Sequence, residues 1–179
     1  MSDQKFLVPQ RDQVSVTNQK IFDQMKESIG FVPNIYATYA YSDHALERYT
    51  SFAAGKSSLS KKEKEVINLV VSQVNDCRYC QAAHTAIGKM NGFSDEQILE
   101  LRKGSASFDK KLDALARLSE EIISHRGQIS DGVLEGFFNA GYDKGKLVDV
   151  IMVIGEKTIT NFLHNVTDIP IDFPEAPRL

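Results

Sequence analysis

No apolar run in this 179-residue sequence is long enough to cross a bilayer; stretches such as "VINLVVSQV" and "LVDVIMVIG" are short and interrupted by polar residues. There is no lysine/arginine block, and the net charge is −3, which argues against nucleic acid as a partner. The opening "MSDQKFLVPQ" lacks the charged-then-apolar build of a secretory signal, so the cytoplasm is the expected location. Strand-type alternation is missing throughout. Cysteine is scarce: the chain has two, both inside "NDCRYCQAAH". In a reducing compartment, thiols that close are catalytic, redox-active or metal-binding before they are a structural staple.

What is present is helical signal, at a length and composition suited to one soluble domain spanning 1–179. "SDHALERYTSFAAG" puts Leu46, Tyr49 and Ala53 on one stripe, with Gly55 as a stop. Ser60 and Glu63 stand in capping-box spacing before Val66, Ile67, Leu69, Val70, Val71 and Val74, a helix apolar nearly all round. Asn75-Asp76 reads as a break, with Asp76 as N-cap of a second helix over roughly 77–91. Ser94 and Gln97 open a short helix, and Leu112, Leu115, Leu118, Ile122 and Ile123 mark an amphipathic one. "SDGVLEGFFNAG" reads as a short helix, and "DKGKLVDVIMVIGEKTITNFLHNV" as a second long apolar one. About 1–17 and 168–179 are expected to be extended, the latter lying over the surface with three prolines. The fold class predicted is all-α.

With the second helix starting near residue 76, Cys77, Cys80 and His84 fall at i, i+3 and i+7 on one face. The first turn of a helix favours a thiolate, and His84 is one turn from Cys80, within reach of its proton. If the two helices fold back around residue 76, Glu65 faces Ile87, one turn from His84, and can serve as the histidine's partner. Other readings compete. Two cysteines can simply be small buried residues. Cys-x-x-Cys with a histidine supplies three zinc ligands, but His44, His125 and His164 lie in unrelated segments. Covalent haem attachment needs histidine directly after the second cysteine, where Gln81 stands. His164 reads as a satisfied helix-face histidine, His125 as a helix C-terminal residue, and "KKEKE" as a solvated face apart from Glu65. Tyr36, Tyr39 and Tyr41 cluster with Phe31 as core or subunit interface, with a ring of aromatics lining a substrate pocket as the lesser reading.

Glu65, eleven residues, Cys77-Arg78-Tyr79-Cys80, three residues and His84 resemble the signature of the AhpD-like alkylhydroperoxidase family, related to carboxymuconolactone decarboxylase. "GFVPN", "LSKKEKE" and "TNFLHNVTDIPIDF" extend the similarity over roughly 30–173, closest to the peroxidase-related branch. The resemblance implies an AhpD-like helical bundle assembled as a homotrimer or homohexamer. It implies Cys80 as peroxidatic cysteine, Cys77 as resolving cysteine, and His84 with Glu65 as the proton relay. Where well-studied members have a histidine between the cysteines, this chain has Tyr79, a weaker base and an auxiliary residue at most. The expected activity is thiol-dependent reduction of an organic hydroperoxide or hydrogen peroxide, reset by an external dithiol that the family suggests is a lipoyl group on a partner protein. No metal, flavin or haem is implied. A dithiol/disulfide oxidoreductase without a peroxide step, or a non-enzymatic redox-sensing oligomer, would use the same pair.

Overall fold

The computed structural model describes residues 6–179; the part of the expected amino-terminal extension before residue 6 lies outside the described residues. The described residues form a 3-10 turn, Arg11–Gln13, and nine α-helices with no strand among them. The helices are α1 (Val16–Ile29), α2 (Asn34–Tyr39), α3 (Ala45–Ala53), α4 (Lys61–Val74), α5 (Arg78–Met90), α6 (Asp95–Arg102), α7 (Lys110–Ser124), α8 (Asp131–Asn139) and α9 (Lys144–Thr167). The described residues are all-α, as the sequence predicts.

α4 is the hub, packed by α5, α6, α7 and α9. Its start is set by a reciprocal cap: Ser60 Oγ accepts the Glu63 N–H at 3.2 Å, and Glu63 Oε2 accepts the Ser60 N–H at 2.8 Å. Val66, Ile67, Leu69, Val70 and Val71 are all fully buried, so the helix is enclosed on most sides, as its composition demands. Its outer turn departs from the expected solvated face, because Glu63 is buried and held by Lys146 of α9. α5 closes onto α4 and α6 at Gly88, where an added Cβ would meet Ile98 at 3.3 Å.

Two apolar clusters result. One joins α4 to α6, α7, α8 and the first half of α9. The second gathers Phe22, Ile35, Tyr39, Leu46 and Tyr49 with Cys77, Tyr79 and Cys80 of α5 and Ile169 of the carboxy-terminal segment.

The ends depart from the sequence reading. α1 begins at Val16 behind a Ser15 cap, inside the stretch expected to be extended. Its apolar residues are sparse, and Phe22 is the one large side chain it buries. The carboxy-terminal segment has no regular structure, yet it is no loose surface tail. Ile169 is buried, and Phe173 packs edge-on against Tyr79 and Phe31. The aromatic cluster also differs. Tyr36 and Tyr39 group with Tyr49, whereas Tyr41 is exposed and packs against Phe6.

Candidate active site

The chain turns from α4 into α5 in three residues, with Asp76 in the left-handed region at φ 49°. Asp76 is therefore a corner rather than the expected N-cap; Cys77 takes that position, its Sγ facing the Cys80 N–H at 3.2 Å. Cys77 and Cys80 are joined in a disulfide with Cα atoms 5.3 Å apart. Both are buried among the side chains of the second cluster.

His84 follows Cys80 by one helical turn. Its Nδ1 lies 2.7 Å from Glu65 Oε1, a contact sealed from solvent on both sides. The fold-back is thus tighter than a hinge at residue 76 predicts: Glu65 meets His84 itself rather than Ile87. A carboxylate on Nδ1 holds the proton there and leaves Nε2 as the acceptor. Burial pulls the His84 pKa below 6.5; Glu65 pushes back, Lys157 of α9 adds to the lowering, and the net shift is downward. The ring is accordingly neutral at physiological pH and able to accept a proton. Glu65 is held in turn by Asn68, whose Nδ2 donates to Oε2 at 3.4 Å.

Tyr79 is oriented differently from a relay member. Its hydroxyl donates to Asp172 Oδ1 at 2.5 Å and accepts the Ile35 N–H at 3.3 Å. Burial, reinforced by Asp172, raises its pKa well above the usual tyrosine range, so it stays protonated. His164 is buried beside it with ring centroids 5.4 Å apart, and neither of its nitrogens has a hydrogen-bond partner among the described residues. The expectation of a satisfied helix-face histidine is thereby corrected. His125 caps the end of α7, far in sequence from these residues.

Three polar residues around the site escape a reading of motifs. Asp172 sits in a stretch without helical periodicity. Asn68 and Lys157 do leave a signal, as polar residues on the buried faces of otherwise apolar helices.

Residues 40–121 match the carboxymuconolactone decarboxylase family, a span that holds Glu65, Cys77, Cys80 and His84. The fold agrees over nearly the whole chain with a peroxidase-related protein from Silicibacter sp. TM1040, at 26% identity and a TM-score of 0.81, covering 93% of this chain and 90% of that one. The matched span and the shared fold support placing the chain with the AhpD-like/carboxymuconolactone decarboxylase proteins. An AhpD-core, peroxidase-related protein from Ralstonia eutropha JMP134 superimposes with a TM-score of 0.84 at 17% identity, covering 94% and 92% of the two chains. The debrominase Bmp8 shares the fold at 14% identity and a TM-score of 0.76, covering 96% and 93%. The AhpD-like fold therefore carries more than one chemistry, and the site must decide which belongs here.

Proposed function

We propose that the protein is a thiol-dependent peroxidase acting on small organic hydroperoxides or hydrogen peroxide. The observation that carries this reading is the buried His84–Glu65 contact at 2.7 Å, one helical turn from a Cys77–Cys80 pair that forms a disulfide. In the reduced protein Cys80 gives its proton to His84 Nε2. The thiolate then attacks the nearer peroxide oxygen; the O–O bond breaks, the leaving alkoxide takes the proton back, and Cys80 becomes a sulfenic acid. Cys77 displaces the hydroxyl as water and closes the disulfide. An external dithiol, for which the family resemblance suggests a protein-bound lipoyl group, reduces that disulfide and leaves as its own disulfide.

The choice of Cys80 over Cys77 as nucleophile follows from magnitudes. The N-terminal dipole favours Cys77 by roughly 0.3–1 kcal/mol, whereas a positioned base contributes on the order of 10²–10⁴ in rate. His84 is four residues from Cys80 and seven from Cys77, so the base outweighs the dipole.

A homo-oligomer, trimer or hexamer, belongs to the same proposal. α9 exposes Val148, Ile151, Met152, Ile159, Phe162 and Val166 along one side, a continuous apolar stripe that a second copy of the chain would cover. The proposed location is the cytoplasm, where a dithiol reductant is available; among the described residues no helix is long and apolar enough to cross a membrane.

The test is peroxide consumption by the purified protein with dihydrolipoamide, glutathione or thioredoxin as reductant. Turnover with a dithiol supports the proposal. Disulfide exchange without peroxide loss would instead favour a dithiol oxidoreductase, and inertness in both assays a non-enzymatic protein.

A further inference from the structure

The buried face of α9 runs through Val150, Val153, Ile154, Lys157, Thr160, Asn161 and His164. Lys157 is foreign to such a stripe: it is 6% exposed, at a position where an aliphatic side chain would pack without a desolvation cost. α4 and α9 run parallel, since Asn161 Nδ2 reaches Ser72 Oγ at 3.4 Å and Asn165 Nδ2 reaches the Asn75 carbonyl at 2.7 Å. One turn earlier on both helices, that register sets Lys157 level with Asn68. Asn68 bonds Glu65 through Nδ2 and buries an Oδ1 that has no partner among the described residues. A line of polar groups therefore crosses the interior from α9 to α5: Lys157, Asn68, Glu65 and His84.

The charges that act on Lys157 are Glu156, its neighbour on α9, and Glu65 from α4; His84 from α5 feels its field in return. Tyr49 of α3 donates to Glu156 at 3.3 Å, and Tyr36 and Tyr39 of α2 lie in the same field, so these neutral phenols are the other titratable groups on that side. Burial is the larger influence and draws the Lys157 pKa below its ordinary 10.5, while both carboxylates support the ammonium.

We propose that Lys157 is a positioning residue of the Glu65–His84–Cys80 site, whose buried positive charge promotes loss of the first proton from the reduced Cys80–His84 pair. The inference rests on the assignment of Cys80 and His84 given above. A nearby cation stabilises every state of the pair that carries one proton fewer, whether the proton has left the thiol or the imidazolium for water. A neutral side chain at 157 leaves only the carboxylates of Glu65 and Glu156 acting on His84, and the pair holds its proton to higher pH.

The test follows alkylation of Cys80 by iodoacetamide in the reduced full-length protein, across pH, by mass spectrometry. This readout needs neither peroxide nor a reductant partner, so it stands even if peroxide turnover fails. In Lys157→Gln and Lys157→Met the acid limb is expected to move to higher pH, with alkylation below the wild-type midpoint falling roughly tenfold, the effect of one pH unit. Lys157→Arg, which keeps the charge, should restore the wild-type profile. Lys157→Met removes the desolvation cost of a buried ammonium and keeps an unbranched side chain of similar length, so it should fold, as circular dichroism will show. Folded neutral variants with an unchanged pH profile overturn the proposal. So does loss of fold in both of them, which would make Lys157 a structural residue.

Discussion

Tyr79, the residue between the two cysteines, donates its hydroxyl to Asp172 of the carboxy-terminal segment at 2.5 Å. The other oxygen of Asp172 accepts the Asn34 N–H at 2.8 Å, in the first turn of α2. One carboxylate thus binds the start of α5, the start of α2 and the end of the chain. Asp172→Ala leaves two donors without their acceptor and is expected to lower stability by about 1–2 kcal/mol, tempered by the exposure of Asp172. Tyr79→Phe, which removes the bond to Asp172 and also the acceptor of the Ile35 N–H, is expected to cost a similar amount. Urea unfolding checks both variants; wild-type stability in either contradicts a structural role for that residue.

The two cysteines are expected to fail differently. Cys80→Ser should abolish even the first reaction with peroxide. Cys77→Ser should keep one stoichiometric reaction, lose turnover with a dithiol and accumulate sulfenic or over-oxidised Cys80. Single-turnover oxidation followed by intact mass separates the outcomes. Ready oxidation of Cys77 at neutral pH in the Cys80→Ser variant reverses the assignment.

His84→Ala removes the base and is expected to slow thiol oxidation by about 10²-fold or more. Glu65→Gln leaves the ring in place but takes away the carboxylate on Nδ1, so a smaller loss is expected. Stopped-flow oxidation rates provide the measurement, and a Glu65→Gln rate below that of His84→Ala would mean that Glu65 acts independently of the ring.

Stability should fall on mild acidification. Burial holds His84 and His164 below the ordinary histidine value of 6.5, so the unfolded chain takes up protons that the folded chain refuses. Their stabilisation is present above pH 6.5 and is lost as pH falls through the folded values. Urea midpoints at pH 7.5 and pH 5.5 should show the decline, and His164→Phe, which removes one of the two groups, should reduce it. An equal decline in that variant means that His164 does not contribute.

The exposed stripe on α9 is expected to be an interface. Phe162→Asp places a charge in that stripe and should shift a trimer or hexamer toward monomer by light scattering. A wild-type monomer at micromolar concentration removes the oligomer from the proposal.

Most of the helical order was legible because the signals are local. Capping boxes at Ser60 and Ser94 and the apolar periodicity of α4, α7 and α9 need no knowledge of the tertiary structure. The residues that form the candidate site were legible for the same reason, since Cys77, Cys80 and His84 share one helix. What local pattern could not supply was long-range. Pairing of Glu65 with His84 rather than Ile87 depends on the length of the corner between α4 and α5. Asp172 and Lys157 reach their neighbours across gaps of many residues, and α1 buries too few apolar side chains to announce itself.

That corner has a consequence for how the protein can vary. Between α4 and α5 the chain has three residues and one left-handed turn, so it has no slack to take up a change in length. A single residue inserted between Glu65 and the corner would turn Glu65 by about 100° around α4 and shift it by about 1.5 Å, swinging its carboxylate away from His84. Glu65 and His84 thus behave like teeth on meshed gears. The interval separating them can change only in steps close to whole turns.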